Sequence, residues 1–223
     1  DRRRGRVKQA SMKLFNFFRS GTSHRLRIAL NLKGVTVQYV AVDLRTEQHL
    51  APEFKALNPQ GLVPALEVGG TVLTQSPAII EWLEERYPTP PLLPVATDDR
   101  ARVRALAALI GCDIHPVNNR RILEALRKDF GADAAAIDRW CQTWIAAGFD
   151  AYEALLAADT RRGRYSFGDA PTLADVYLVP QVESARRFKV DLAPYPLIRA
   201  VDEACARLDA FRRAAPAVQP DAA

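Results

Sequence analysis

The sequence is poor in cysteine, methionine and histidine, and it contains no long apolar run. Its 223 residues include three cysteines, one methionine and three histidines. Cys112, Cys141 and Cys205 are odd in number and far apart, which argues against a disulfide framework or a zinc site and suits a reducing compartment. We therefore predict no bound metal and a cytoplasmic location.

No apolar run approaches the roughly 20 residues that a membrane-spanning helix needs, and no signal-peptide pattern is present. Hydrophobic residues make up 48% of the sequence, which is ordinary for a globular chain that buries a core. We predict one or two globular domains and no membrane partner.

The basic excess of this chain is local. The formal net charge is +5, and the opening DRRRGRVKQAS holds five basic residues and one acidic residue. Because Met12 follows directly, we interpret residues 1–11 as the remnant of an expression tag and exclude them from fold reasoning. The rest of the chain is nearly neutral, which does not favour a nucleic-acid partner.

The segment 12–90 alternates strand-like and helix-like patterns, which predicts a small α/β domain of order β-α-β-α-β-β-α. The predicted elements are a strand at 13–17, a helix at 23–33 ended by Gly34, a strand at 35–44, a short helix before Asn58, a hairpin over 63–75, and a helix from the N-cap Ser76 to Tyr87.

A proline-rich connector, PTPPLLP, follows, and strand patterns disappear after it. Thr172 and Asp175 have the spacing of a capping box. We predict an all-helical second domain at 97–223, with helices over 98–128, 133–158, 172–188 and 196–212.

Two helix N-termini and one strand entry are candidate sites. The stretch Arg19–Ser23 offers hydroxyls and free amides that could hold a carboxylate or stabilise a thiolate, although Ser20 or Thr22 could merely cap the helix. Val63-Pro64 could form a cis bond that turns the backbone of Val63 towards an extended peptide, or Pro64 could be an ordinary edge-strand proline. Gln75-Ser76 similarly allows an anion site or a plain cap.

Taken together, these features resemble the glutathione transferase superfamily, and RSGTSHRLRIALNLKG resembles the zeta-class motif S-S-C-x-x-R-[VI]-R-I-A-L. The resemblance continues through NPQGLVPAL, LTQSPAIIEWLEERYP, LADVYLVPQV and RFKVDLAPYP, and so covers nearly all of 13–220. It implies a thioredoxin-like domain followed by an α-helical domain, a homodimer, and glutathione as cofactor.

The resemblance also implies roles in binding glutathione. Ser20 would stabilise the thiolate, Val63 beside a cis-Pro64 would pair with the cysteinyl backbone, and Gln75 and Ser76 would take the γ-glutamyl group. Further implied cofactor contacts are Gly21, Thr22, His49, Gln60 and His115. Thr22 stands where the motif commonly has cysteine, so the nucleophile must come from glutathione.

Basic groups are the implied substrate ligands, because guanidinium groups bind carboxylates bidentately. Pro116 is predicted to bend the helix at 98–128 towards the cleft, with His115, Asn119 and one arginine on one side. Alignment favours Arg121 over Arg120, and His115 could instead be a satisfied helix histidine. The predicted substrate contacts are Arg19, Asn119, Arg121 and Arg187, and the predicted catalytic residues are Arg19, Ser20, Thr22, His115 and Arg187.

The known activities of the zeta class include glutathione-dependent isomerisation of maleylpyruvate and of maleylacetoacetate, both dicarboxylates. His115 and Arg121 favour maleylpyruvate, whose keto-acid end has one more carbonyl to bind. The alternatives are isomerisation of maleylacetoacetate in tyrosine catabolism, a transferase acting on haloacids, and a catalytically silent binding protein.

Overall fold

A computed structural model describes residues 12–222, so the segment interpreted as a tag remnant, 1–11, lies outside the described residues. The first part of the fold contains four strands and three helices within the described range. They are β1 (Met12–Asn16), α1 (Gly21–Leu32), β2 (Gln38–Ala41), α2 (Pro52–Leu57), β3 (Ala65–Val68), β4 (Thr71–Thr74) and α3 (Ser76–Arg86), with a 3-10 turn at Gln48–Leu50.

The strands form one mixed sheet in the order β2-β1-β3-β4. Strands β1 and β2 are parallel, whereas β3 is antiparallel to both β1 and β4. Leu14 lies opposite Tyr39 on one side and Leu66 on the other. The predicted β-α-β-α-β-β-α order and its thioredoxin-like sheet are confirmed. Strand β2 is shorter than the predicted 35–44, and the buried residues Val35 and Val42 flank it.

The second part is helical, as predicted. Its helices are α4 (Thr97–Ala108), α5 (Arg120–Phe130), α6 (Ala134–Ala158), α7 (Leu173–Arg187), α8 (Pro196–Ala206) and α9 (Asp209–Arg212), with a π-helical turn at Leu109–Ile114 and 3-10 turns at Pro116–Asn118 and Pro216–Val218. None of the helices in the described range 12–222 combines the length and apolarity that a membrane crossing would require.

The prediction of one bent helix over 98–128 is wrong. The chain leaves α-helical geometry at Leu109, and the amide of His115 donates to the carbonyl of Ile110 at 2.9 Å, a π-type bond. Pro116 has no amide proton to continue the ladder. Asn119 then adopts an extended backbone and caps α5 by accepting from the amide of Arg121 at 3.2 Å. A proline followed by an N-cap asparagine therefore divides the segment.

Two smaller predictions also need correction. The predicted helix over 196–212 is two helices, because Leu208 has an extended backbone (ψ 132°) and packs on the core between α8 and α9. The N-cap of α3 is Gln75, with Ser76 as the first helical residue. The left-handed φ of Gln75, 67°, is uncommon for a side chain other than glycine and marks a constrained helix start.

Helix α1 joins the two parts of the fold. It is buried from Ser23 to Leu30 and packs on both α3 and α7. Leu26 and Ile28 are fully buried in a core that continues into α6 and α7.

Gly148 of α6 permits close approach of the π-helical turn, since a β-carbon at this position would lie 2.2 Å from Cδ1 of Ile114. This packing fixes the turn that ends at His115.

The capping box predicted at the start of α7 is confirmed, and we expect it to stabilise the fold. Asp175 is fully buried and accepts hydrogen bonds from the amides of Thr172 at 2.7 Å and Ser166 at 2.9 Å. Asp175→Ala would leave two buried amides without acceptors, and we expect it to lower the free energy of unfolding by roughly 3–5 kcal/mol in urea titrations.

Asp133→Ala is the matched control. Asp133 caps α6 by accepting from the amide of Ala136 at 2.7 Å, but it is exposed. Its loss should cost only about 1 kcal/mol. Equal losses for the two variants would contradict the role assigned to burial at Asp175.

Candidate functional site

The N-terminus of α1 begins the site. Ser20 is its N-cap, and its hydroxyl oxygen accepts from the amide of Ser23 at 3.2 Å, so the capping interpretation is confirmed. The cap leaves the amides of Gly21 and Thr22 without an acceptor among residues 12–222. The helix start therefore still offers donors and partial positive charge to an anion.

Hydroxyl groups connect this helix start to the next loop. Thr22 Oγ1 donates to the carbonyl of Val63 at 2.9 Å and lies 2.9 Å from Ser20 Oγ. Because a hydroxyl has one proton, the Thr22 proton is used at Val63, and Ser20 must donate to Thr22. The hydroxyl of Ser20, which was predicted to stabilise a thiolate, therefore donates its proton to Thr22 Oγ1 in this conformation. Rotation of the Ser20 hydroxyl would make this proton available to a ligand.

A small cavity of about 130 Å³ opens beside Thr22. The Val63–Pro64 bond is cis, as predicted. The amide of Val63 has no acceptor among residues 12–222, so it is available to an extended peptide. Of the predicted cofactor contacts, the cavity is lined by Thr22, Gln60, Val63, Pro64, Gln75, Ser76 and His115.

The far end of this cavity is a second helix start. The side-chain amide of Gln75 donates to Oε1 of Gln60. Ser76 is 2% exposed, and its hydroxyl has no partner in the described part of the chain. Buried hydroxyls are normally hydrogen-bonded. An unpaired hydroxyl at the N-terminus of α3 suits a ligand that carries a carboxylate or an amine.

A larger cavity of about 760 Å³ also borders α1. Arg19 and Arg187 line it together, and neither forms an ion pair with a carboxylate within the described residues. Burial lowers the pKa of Arg187, and the positive charge of Arg19 lowers it further. Two unpaired guanidinium groups in one cavity attract an anion.

His115 borders both cavities. Burial, assisted by the charges of Arg25 and Arg187, lowers its pKa from 6.5 to about 3, so the imidazole is neutral at pH 7. Its Nε2 atom has no hydrogen-bond partner in the range 12–222. The alternative of a satisfied helix histidine is therefore not supported.

Arg25 and Asn118 border the cavities but were not predicted from the sequence. Arg25 is 2% exposed, its guanidinium lies 4.1 Å from the ring centre of Tyr177, and it lines both cavities. Its position one turn after Thr22, on the same helix face, was the available signal. Asn118 borders the larger cavity, and both side-chain amide atoms lack partners among the described residues.

The three predicted arginines do not all line one cavity, so their convergence on one substrate stays a prediction. Arg19 and Arg187 share the larger cavity, whereas Arg121 lines the smaller one with Asn119. The break after His115 causes this division, because α5 starts anew at Asn119. His49 lines neither cavity, so its contact with glutathione stays a prediction. Gly21 lines the larger cavity, and Ser20 lines neither cavity, so its contact with glutathione also stays a prediction.

Family models match both parts of the chain. Residues 19–86 match the N-terminal domain of glutathione S-transferases and residues 134–217 match their C-terminal domain. The chain belongs to the glutathione S-transferase family. A maleylpyruvate isomerase of Ralstonia is 77% identical over 95% of this chain and 100% of its own length. A maleylacetoacetate isomerase of Pseudomonas aeruginosa is 49% identical over 94% and 98%.

Solved structures of glutathione S-transferases agree with this fold. A holo structure of maleyl pyruvate isomerase, described as a bacterial zeta-class glutathione S-transferase, has a TM-score of 0.94 and 77% identity, covering 95% of this chain and 100% of its own. A maleylacetoacetate isomerase of Methylobacterium extorquens with bound malonate and glutathione has a TM-score of 0.92 and 38% identity, covering 95% and 99%.

The buried histidines of this chain predict acid sensitivity. His24 and His115 have pKa values lowered by burial from 6.5 to about 3. At pH values between about 3 and 6.5, the unfolded chain binds more protons than the folded chain. The free energy of unfolding therefore decreases as the pH falls below 6.5. We expect the free energy of unfolding to fall by up to about 1.4 kcal/mol per pH unit for each histidine, measured by urea titration from pH 7 to 5.

His24→Gln should flatten this pH dependence, because it removes one of the two buried groups. His49→Gln is the comparison, since His49 is more exposed and should contribute less. An unchanged slope in His24→Gln would show that its imidazole is not kept neutral by the fold.

Proposed function

We propose that this chain is a glutathione-dependent cis–trans isomerase that converts maleylpyruvate to fumarylpyruvate. The observation that carries the proposal is the junction at His115 of two cavities with different chemistry. One contains a cis-proline loop and two helix starts, and the other contains the guanidinium groups of Arg19 and Arg187, neither of which pairs with a carboxylate in the described part of the chain. The 77% identity to a maleylpyruvate isomerase over nearly the whole chain supports the same substrate.

The residues of the smaller cavity fit glutathione. The unpaired hydroxyl of Ser76 and the amide of Gln75 suit the γ-glutamyl group, and the free amide of Val63 suits the cysteinyl backbone. Bound there, glutathione supplies the thiolate that adds to the cis double bond and is expelled after rotation. The start of α1 keeps the sulfur ionised through the amides of Gly21 and Thr22, joined by Ser20 once its proton turns away from Thr22.

The larger cavity holds the dicarboxylate. Arg19 and Arg187 bind its carboxylates and fix its orientation. During rotation, negative charge collects on the carbonyl oxygen next to the double bond, and guanidinium groups in a partly buried cavity stabilise it. The buried guanidinium of Arg25, which lines both cavities, adds positive charge. The imidazole of His115 is neutral, so it can donate a hydrogen bond to the substrate without repelling it from the arginines. Arg121 and Asn119 serve the glutathione side.

Glutathione dependence tests the reaction class. We expect the protein to isomerise maleylpyruvate faster than maleylacetoacetate, and to isomerise neither at an appreciable rate without glutathione. Full activity without the thiol would overturn the proposal, as would conjugation of haloacids in preference to isomerisation. A higher kcat/KM for maleylacetoacetate would move the assignment to the alternative substrate.

Arg187→Ala tests the guanidinium pair. The variant should lose about 100-fold in kcat/KM for maleylpyruvate, since one charged contact to the substrate is removed, while glutathione affinity changes little. Kinetics with isothermal titration of glutathione would measure both. Arg199→Ala, an exposed arginine of α8, is the control and should behave as the parent protein. Normal turnover in Arg187→Ala would refute the pair.

We further propose that the protein is a cytoplasmic homodimer that acts in aromatic-compound catabolism through gentisate. Membership of the glutathione S-transferase family supports the dimer, and the substrate assignment supports the pathway. Light scattering in solution would test the dimer, with a mass of twice 24.7 kDa expected.

A further inference from the structure

The loop that carries Arg19 and Ser20 is held by side chains from distant parts of the chain. The amide of Phe18 donates to Oδ2 of Asp221 at 3.0 Å. The carbonyl of the same residue accepts from Nη2 of Arg27 at 2.8 Å. Both backbone polar groups of Phe18 are therefore fixed, directly before the arginine of the larger cavity.

Arg27 also connects this loop to the end of the helical part. Its Nε donates to the carbonyl of Ala214 at 3.0 Å, and its Nη1 donates to Oδ1 of Asn16 at 2.9 Å. Arg27 is 5% exposed, and every acceptor that it contacts within the described residues is neutral. Burial lowers the pKa of Arg27 to about 10, whereas Tyr39 and the carboxylate of Asp221, on the other side of the Phe18 peptide, raise it.

Asp221 reaches the sheet through its second oxygen, because Oδ1 accepts from the hydroxyl of Tyr39 on β2. Ala222 packs on the apolar cluster that contains Phe17 and Phe18. Pro216 and Ala222 then form part of the wall of the larger cavity. The segment 214–222 thus contacts the loop, the sheet edge and the cavity together.

The contacts of Asp221 show that the segment 214–222 does more than cover apolar surface. Asp221 is half-buried and uses both oxygens on the first domain, one of them on a backbone amide of the loop. Charge-assisted bonds of this kind are short and directional, so they fix position as well as adding energy. The guanidinium of Arg19 lies 5.2 Å from the ring centre of Phe18, so the position of Phe18 bears directly on the position of Arg19.

We propose that Asp221 is a positioning residue for the larger cavity: with the segment 214–222 it holds the Phe18 peptide so that Arg19 faces Arg187 across the substrate. This inference rests on the proposed function, in which the cavity binds a dicarboxylate. Asp221 touches neither the substrate nor glutathione and acts through Arg19.

The test uses Asp221→Ala and Asp221→Asn in the full chain, with malonate as the dicarboxylate probe in the presence of glutathione. We expect Asp221→Ala to weaken malonate binding and to raise KM for maleylpyruvate by about 10-fold each, with kcat and glutathione affinity within about twofold. Asp221→Asn should show a smaller effect, because its side-chain carbonyl can still accept from Phe18. Asp209→Asn, an exposed aspartate on α9, is the matched control.

Two further measurements separate positioning from general stability. Hydrogen exchange at the Phe18 amide should accelerate in Asp221→Ala, while core amides of α6 keep their protection. In an Arg19→Ala background, Asp221→Ala should have almost no further effect on malonate binding, because the group it positions is gone. Additive losses in this double-mutant cycle would overturn the inference, as would unchanged malonate affinity in Asp221→Ala.

The outcomes also separate this inference from the proposed function. Weaker malonate binding in Asp221→Ala, in a protein that fails to isomerise maleylpyruvate, would keep the positioning role and remove the substrate assignment. Normal isomerisation by the parent protein, with no effect of Asp221→Ala on KM, would keep the substrate assignment and remove the positioning role.

Discussion

The burial of two arginines in one helix is the constraint on which the remaining structure depends. Arg25 and Arg27 lie in α1, nearly inaccessible to solvent, and neither makes an ion pair within the described residues. An isolated buried charge is costly unless neighbouring groups solvate it. Arg27 is solvated by backbone carbonyls and an asparagine, which fixes the loop before the helix. Arg25 lies on the ring of Tyr177, which ties α1 to α7.

The positive charge that results has a chemical use. The start of α1, the buried Arg25 and the Arg19–Arg187 pair line the two cavities, and the acidic lining residue Glu183 pairs with Arg186 at 3.9 Å. Such a field favours a thiolate and a dianion over their protonated forms. Burial, assisted by the same positive charges, lowers the pKa of His115 and keeps its imidazole neutral, so it does not compete for the anions. Binding and catalysis then follow from the same electrostatic arrangement.

Most of the fold could be predicted from the sequence, because local signals and long-range packing agree there. The β-α-β-α-β-β-α order of elements and the Thr172–Asp175 capping box each have a distinctive local pattern, whereas the cis-proline was predicted from the family resemblance. The failures share a cause: helical periodicity continues through Leu109–Asn119 and through Leu208, but backbone geometry does not. Apolar spacing alone could not distinguish a bent helix from a sequence of short ones.

The candidate site was predictable where residues are adjacent in sequence and much less so where tertiary packing brings them together. The cavity lining by Gln60, Val63, Gln75 and Ser76 followed from motifs. Arg25 was obscured because a charged residue in an amphipathic helix normally faces solvent. The division of the arginines between two cavities depends on the break at Pro116, which changes the direction of the chain before Arg121.

The π-helical turn at Leu109–Ile114 bears on how this architecture could diverge. A π-helical turn holds one residue more than an α-helical turn, and it absorbs that residue without changing the faces on which the following residues lie. Deleting one residue inside the turn would therefore restore α-helical hydrogen bonding, and Pro116 would still end the helix. The deletion would remove the widened segment that packs on Gly148 of α6. The length of this turn is thus one place where the wall shared by the two cavities can change between homologues without rebuilding the core.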